Sequence, residues 1–473
     1  MADGTKTRLG GGEMAGWEMG LSRRRLLRTA ALASTGLGPG VLAACGAAGS
    51  PSGGTSEGAA TSSKAPVTIQ FAHWGTPDYY ERNRQRADDF EQRHPNIKID
   101  ILHQQTDFQG KILAMFVAGT PPDTHVLDMP KVQAYAKRDV LLSLNPFMKE
   151  DKTFKADLLH KKAVEIMSNK QGELLGMPSG GSPNLFYYNK DMFVAAGLPT
   201  PNELFQKNQW TWQTFLDGVR KVTKGGPGNW QVAGASTGLH RMWINSNGAE
   251  EYDDYRAPKR CLYGEAADVE ALQFLADLRH KHKVTPVNFS KEVGMNDTTG
   301  FIQGRVAMMA RWTSGIGQYR DITDFTWGMV PYPKGPSAKG VMANDYATSG
   351  TAIAKASQYP KQSWEWVKFT ANEEGQVVAA RAGGGTGVNF SEAANQETIR
   401  LLKEIRTLET PTMTVDLIQK GNSFVRLLSV DEVEINKLIN SNLSPMWNGE
   451  DAPPVAAMRA AAAVNEFVKA TPQ

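Results

Sequence analysis

From residue 67 onward, short segments with strand periodicity alternate with helical ones, and this alternation limits the architecture more than any other feature of the sequence. Val67, Ile69 and Phe71 alternate with polar neighbours as in a half-buried strand, and residues 80–93 form a charged helical stretch ended by Pro95. Ile97, Ile99 and Ile101 repeat the strand pattern. Asp107 is placed to cap a second helix whose apolar residues Phe108, Ile112, Met115 and Phe116 share one face, and Gly119, Pro121 and Pro122 stop it. Residues 124–128 supply a third strand. This order predicts βαβ units and a mostly parallel sheet covered on both faces. Ligands of such sheets sit beyond the carboxyl ends of the strands, which puts Trp74, Gly75 and Asp128 on the ligand side.

A second block follows the cluster Gly176-Met177-Pro178-Ser179-Gly180-Gly181, whose composition suits a crossing between lobes. Residues 185–188 are strand-like, Thr211 opens a helix with Trp212, Phe215, Leu216 and Val219 along one face, and Leu272, Leu275 and Leu278 mark another. Residues 306–310 form a short strand that delivers Trp312. Residues 327–330 lead into a second crossing, Pro331-Tyr332-Pro333-Lys334-Gly335-Pro336. Residues 346–353 are again strand-like, 361–370 helical, and 416–469 helical with breaks near Asn448-Gly449 and Pro453-Pro454. No repeat of solenoid or propeller period is present.

Length agrees with two lobes, because single cores stop growing near roughly 250 to 300 residues and this chain has 473. Its formal charge of +3 is confined to the start: residues 1–45 hold six of the 52 basic and three of the 49 acidic residues, leaving 46 of each. A neutral remainder lacks the electrostatic footprint of a nucleic-acid binder. The two cysteines, Cys45 and Cys261, exclude a disulfide framework and a cysteine-rich zinc site, and Cys261 is expected to be a packed, unreactive thiol.

The first residues look like an address. Ser22-Arg23-Arg24-Arg25-Leu26-Leu27-Arg28 resembles a twin-arginine export signal, followed by an uncharged stretch rich in Ala, Gly and Leu. Leu42-Ala43-Ala44-Cys45 resembles a bacterial lipoprotein box, in which the chain is cut before the cysteine and a diacylglycerol is attached to its sulfur. A transmembrane helix is the competing reading, but residues 29–44 are too few and carry Gly36, Gly38, Pro39 and Gly40. Residues 46–65 have the composition of a flexible tether, and the acyl chains would anchor the protein outside the cytoplasm. Residues before Ser22 add nothing to the signal, so Met14 or Met19 is an alternative start.

Ordered motifs along the rest of the chain resemble the extracellular solute-binding proteins of the sugar and oligosaccharide class, the maltodextrin-binding-like family of ABC importers. They are Phe90-Glu91-Gln92-Arg93-His94-Pro95-Asn96-Ile97, Ala118-Gly119-Thr120-Pro121-Pro122-Asp123, Leu175-Gly176-Met177-Pro178, Tyr188-Asn189-Lys190-Asp191-Met192-Phe193, Ala196-Gly197-Leu198-Pro199 and Phe301-Ile302-Gln303-Gly304-Arg305-Val306-Ala307-Met308. The match departs between Pro199 and Trp210 and at Gly383-Gly384-Gly385. The resemblance implies an α/β, two-lobed fold, each lobe a sheet flanked by helices, joined by hinge segments with the ligand cleft between. With the crossings above, it divides the chain into 66–178 plus 337–405 and 179–336 plus 406–473. It also implies a monomer that captures a small solute, with an importer's permease subunits as partners and no cofactor.

A sugar presents apolar C–H faces and a ring of hydroxyls, so its site needs aromatic platforms with carboxylates, amides or backbone groups. Eleven tryptophans make that chemistry available. Trp312, after its strand, occupies the position where the family presents a stacking aromatic. Trp243, in Met242-Trp243-Ile244-Asn245-Ser246-Asn247-Gly248, matches a family segment near the cleft, and Trp74 is a third candidate; core packing is the alternative for each. Asp128 is either a hydroxyl acceptor or a helix cap. Asn344, Asp345 and Tyr346 follow the second crossing and could line the cleft, although Asn-Asp is also ordinary turn chemistry. Gly384 and its neighbours could offer backbone N–H groups, but no Lys-Ser/Thr follows to make a phosphate cradle. Trp210, Trp212, Trp364, Trp366 and Trp447 suit packing.

Enzyme signatures are missing: there is no His-Glu-x-x-His, no Gly-x-Ser-x-Gly, and the eight histidines lack metal spacing. A pair of carboxylates for glycoside hydrolysis need only meet in space and stays open as an alternative. Rival ligands are polyamines, organic anions and metal chelates; an acidic site would favour amines and an Arg-rich one anions, whereas the aromatic supply favours sugars.

Overall fold

The computed structural model describes residues 65–471 apart from 76, 256–257, 338, 384–390, 421–422 and 425–431. Cys45, with the export signal and tether, and Gly384 lie outside the described residues. The strands are β1 (Val67–Trp74), β2 (Ile97–Gln104), β3 (Thr124–Asp128), β4 (Met177–Asn189), β5 (Ala233–Ser236), β6 (Val306–Trp312), β7 (Trp327–Val330), β8 (Asn344–Ile353) and β9 (Ser423–Phe424). They run in the order β2-β1-β3-β8-β4-β6-β5, with β7 on the far side of β4 and β9 on β8.

The sheet is mixed, not mostly parallel as the alternation predicted. β1 pairs in parallel with β2 and β3, and β5 with β6, but β8 is antiparallel to β3 and β4, and β4 is antiparallel to β6 and β7. The antiparallel members come from the segments that cross between halves. Residues 177–183 of β4 pair with β8, and 184–189 pair with β6 and β7. The Gly/Pro/Ser cluster read as a crossing is therefore built as the first half of a strand. Its irregularity survives as a register shift between Pro178 and Gly181. A bulge of this kind bends a strand and strengthens its twist, which lets one strand leave one sheet and enter the next. Gly350 fits the same crossing: a Cβ there would lie 2.7 Å from the Met177 carbonyl oxygen.

Strand periodicity sorts side chains to both faces of each half. Along β4, Phe186 and Tyr188 enter one core while Leu185 and Tyr187 enter another on the opposite face. The first half is covered likewise: Ile69 and Phe71 pack with Phe90, Trp366 and Phe369, while Ala72 packs with Ile112, Leu127 and Trp364. The C-terminal helices Glu432–Trp447 and Pro453–Ala470 bury Ile435, Ile439, Leu443, Ala456 and Val464 in the same core as Phe186.

Local signals held where short-range chemistry decides. Thr211 caps the helix Trp212–Val222 in a reciprocal capping box with Thr214, and Trp212, Phe215, Leu216 and Val219 are buried. Asp107 precedes the helix Phe108–Val117 but takes a left-handed conformation (φ 48°) and makes no side-chain cap bond, so its capping role is corrected. Cys261 is buried, and burial pushes its thiol up to about 12, which keeps it protonated. Among the described residues no helix is long and apolar enough to cross a membrane.

Asp268, in the helix Ala266–His280, is 1% exposed and its Oδ1 has no hydrogen-bond partner among the described residues. Burial, reinforced by Glu251, raises its carboxyl to about 8. The folded state thus holds a proton that the unfolded chain releases near pH ~4, so this group's contribution to stability falls as pH rises from about 4 to 8. Asp268→Asn is expected to stabilise the protein by about 1 to 3 kcal/mol at pH 8 and by little at pH 5. Denaturant unfolding of both proteins at the two pH values checks this; a difference independent of pH would refute it.

Candidate functional site

Parallel pairing brings strand ends together. β1, β2 and β3 finish on one edge at Trp74, Gln104 and Asp128, and β5 finishes at Ser236 opposite Met309 of β6, which runs on in the same direction to Trp312. The crossing strands then join the two edges. Asn184 of β4 is the register partner of Trp312, and Pro183 that of Tyr346. Oγ of Ser182 accepts the Ser314 amide at 2.9 Å and lies 3.4 Å from Oγ1 of Thr313. From the other edge, the Tyr79 hydroxyl donates to the Ser314 carbonyl at 3.3 Å, and the Arg82 guanidinium sits 3.7 Å from the centre of the Tyr79 ring. Gly75 permits this approach: it has φ +125°, and a Cβ there would fall 2.7 Å from Tyr79 Cβ and Cγ.

A pocket of about 290 Å³ opens at the ends of β5 and β6, lined by residues that include Asn184, Thr237, Arg279, Thr285, Arg311 and Trp312. This is close to the lower end of the range for small-molecule sites, roughly 300 to 1,000 Å³. Its walls mix polar groups with apolar ones such as Leu239, Val287 and Phe289, and the polar groups are held from behind. Tyr332 donates its hydroxyl to Oδ1 of Asn184 at 2.9 Å, and Trp243 donates its indole N–H to the Thr237 carbonyl at 2.9 Å. Arg311 pairs with Asp297 and donates to Oγ1 of Thr298 at 3.2 Å, while Ser236 donates to Oδ2 of Asp297 at 2.5 Å. Arg279 donates to Oγ1 of Thr237 at 3.2 Å and to the Leu275 carbonyl at 2.9 Å, with its guanidinium 4.8 Å from the centre of the Trp447 ring. Burial lowers Arg279 to about 10, still charged at neutral pH. Among the described residues no group of three or more His, Cys, Asp or Glu is arranged to hold a metal ion.

The structure separates the candidates read from sequence. Trp312 is half-buried on the pocket wall. Trp74 is half-buried at its strand end, edge-on to Phe108 at 5.3 Å, and Gly75 follows it. Asp128 is half-buried beside Ser349 of β8; it precedes a single 3₁₀ turn but makes no side-chain cap bond, which removes the capping alternative. Asn344, Asp345 and Tyr346 are the first residues of β8, not a turn, with Asn344 and Asp345 paired to Ser423 and Phe424 of β9. Trp243 departs from expectation: it is 0% exposed and packs among Phe215, Phe274 and Tyr332. Its helix, His240–Ser246, turns that face into the core, so it supports the wall through Thr237 rather than forming it.

Asn184, Arg279 and Arg311 escaped the sequence reading. Arg311 had a signal, because it immediately precedes Trp312. Arg279 had none, since it reaches the pocket from a helix more than thirty positions away in the chain.

The family model described as bacterial extracellular solute-binding protein matches residues 77–377. The chain is 22% identical over 332 residues to the sn-glycerol-3-phosphate-binding periplasmic protein UgpB of Pectobacterium atrosepticum, covering 65% of this chain and 73% of that protein. Among solved structures, it is similar to an ABC substrate-binding protein from Listeria monocytogenes in complex with cycloalternan, with a TM-score of 0.73, 20% identity and coverage of 85% of this chain and 99% of that one. Maltose-bound T. maritima MalE3 aligns with a TM-score of 0.68 and 20% identity, over 85% of this chain and all (100%) of that chain. The fold they share is the two-lobed α/β architecture of periplasmic binding proteins.

Proposed function

Because this chain belongs to the bacterial extracellular solute-binding protein family, we propose that it captures a sugar or oligosaccharide between its lobes and delivers it, intact, to the membrane subunits of an ABC importer. The observation that carries the reading is Trp312, a half-buried indole at the end of β6 on a pocket wall that also offers Asn184 and hydroxyl groups. An aromatic face beside amide and hydroxyl partners is the chemistry that sugar C–H faces and hydroxyls require. Support comes from similar folds solved with cycloalternan and with maltose. Trp74 and Asp128 stand at the opposing strand ends and form the facing wall in this proposal, with Gly75, the opening of β8 at 344–346 and Gly384 as further contacts.

The lobes in this proposal are those read from the sequence, 66–178 with 337–405 and 179–336 with 406–473, except that Ala343, Leu402 and Ile405 pack in cores of the second lobe, which moves the return crossings to after Ala343 and before Leu402. β4 and β8 are the hinges. A ligand touching both lobes favours the closed form only by its differential affinity for it. Tyr79 to Ser314 is a bond between the lobes. Tyr79→Phe is therefore expected to weaken ligand binding about threefold to tenfold, as one hydrogen bond of ~1 kcal/mol is lost, and to leave the unliganded protein less compact in X-ray scattering. Unchanged scattering and affinity would remove Tyr79 from the closing motion.

Calorimetric titration of the purified protein with mono-, di- and oligosaccharides, each mixture then checked for breakdown, tests the main reading. Saturable binding with intact sugar supports capture; cleavage would make the protein a hydrolase, and silence towards these sugars and their acidic derivatives alike would end the sugar proposal. The same reading places the protein outside the cytoplasm as a monomer, exported through the twin-arginine route and anchored by acyl chains on Cys45. Radioactive fatty acid should label the protein in cells and fail to label Cys45→Ala; label retained by that variant would refute the anchor.

A further inference from the structure

The pocket at the ends of β5 and β6 is unbalanced in charge. Two guanidinium groups, Arg279 and Arg311, line it, and among the described residues no Asp or Glu does. Arg311 has its counter-charge in Asp297 behind the wall. Arg279 has none: its partners are a hydroxyl, a backbone carbonyl and an indole ring, and no carboxylate pairs with it among the described residues. Those two bonds leave three of its five N–H donors unused. Thr285, on the same lining, is 2% exposed, and its Oγ1 has no partner among the described residues. A half-buried charge short of partners and a buried hydroxyl without one among the described residues are each costly unless something completes them. A neutral sugar hydroxyl would complete the hydroxyl and leave the charge unmatched. An oxyanion completes both, accepting from the guanidinium and from Thr285 in charge-assisted bonds.

We propose that the captured solute is acidic, a sugar or polyol bearing a carboxylate or phosphate group that Arg279 and Thr285 receive while Trp312 faces its carbon skeleton. The inference rests on the sugar-capture reading above and narrows its substrate class.

The test titrates the whole protein with glucose, glucuronate, glucose 6-phosphate and glycerol 3-phosphate by calorimetry. At least one acidic member is expected to bind about tenfold or more tighter than glucose, and the carboxylate and phosphate arms distinguish which oxyanion fits. In Arg279→Gln the acidic-to-neutral ratio should collapse to below about threefold, and Arg279→Lys should restore part of it. A ratio that stays high in a folded Arg279→Gln protein, judged by its thermal midpoint, would overturn the role of Arg279. Equal affinity for glucose and its acidic derivatives in the unaltered protein would overturn the acidic-solute inference and leave sugar capture standing. Silence towards all four compounds, with neutral oligosaccharides binding, would also overturn the inference alone; silence towards those as well would overturn both readings.

Discussion

Trp312→Ala is expected to weaken binding of the captured sugar by roughly thirtyfold or more, about 2 kcal/mol, while changing stability by less than about 1 kcal/mol. The separation of the two effects follows from where the residue sits. Its backbone is fixed by the pairing of β6 with β4, where Asn184 is its register partner, and that ladder does not depend on the indole. The apolar weight of β6 lies earlier in the strand, in Val306, Ala307, Met308, Met309 and Ala310, all buried. The ring is half-buried and lines the pocket. Removing it takes away a rigid apolar platform that costs a ligand little conformational entropy to use, the property that makes Trp prominent among binding hot spots. Calorimetry and thermal unfolding on the same preparations measure both quantities. Affinity within threefold of the unaltered protein would displace Trp312 from the site, and a large fall in stability would return it to the core.

How far the sequence reveals this arrangement depends on the range over which each feature is decided. Strands β1, β2, β3, β6 and β8 and the Thr211 cap are legible because strand patterning and capping boxes act within a few residues. Strand direction is not legible in the same way. β8 runs antiparallel to β3 because the chain has visited the second half before returning, and β4 serves two sheets because a bulge turns it. The site divides along the same line. Trp74 and Asp128 could be placed at strand ends from topology rules alone, whereas the candidacy of Trp312, which ends its own strand, comes from the family resemblance. Arg279 could not be placed either way, since it arrives from a helix whose spacing of Leu272, Leu275 and Leu278 signals only a buried face. Trp243 shows the reverse case: a local motif similar to one near the cleft in the family, on a helix whose orientation puts the ring inside.

Trp243→Ala is expected to cost about 3 to 5 kcal/mol of stability, the range for removing a large aromatic side chain from a packed core. The ring is 0% exposed and touches five other aromatic residues, with centroids 5.1 Å away at Phe215, 5.4 Å at Phe274, 5.7 Å at Tyr332, 5.8 Å at Trp212 and 5.9 Å at Phe186. Neighbours that are themselves rigid rings, on β4, the helices Trp212–Val222 and Ala266–His280 and the crossing after β7, cannot collapse into the space left behind. The loss therefore sits towards the upper part of that range. With an unfolding entropy of about 2.1 cal/mol/K per residue over about 400 residues, it corresponds to a fall in midpoint of about 5 °C. Trp243→Phe separates packing from positioning. It keeps most of the apolar volume but removes the indole N–H, leaving the Thr237 carbonyl without its 2.9 Å donor directly behind the pocket wall. That variant should lose only about 1 to 2 kcal/mol of stability, yet it should still weaken ligand binding, because Thr237 also holds Arg279 through its Oγ1. Denaturant unfolding and ligand titration of the two variants decide the matter. A Trp243→Ala protein as stable as the parent would mean the ring is not enclosed as described. Unchanged affinity in Trp243→Phe would confine its role to packing.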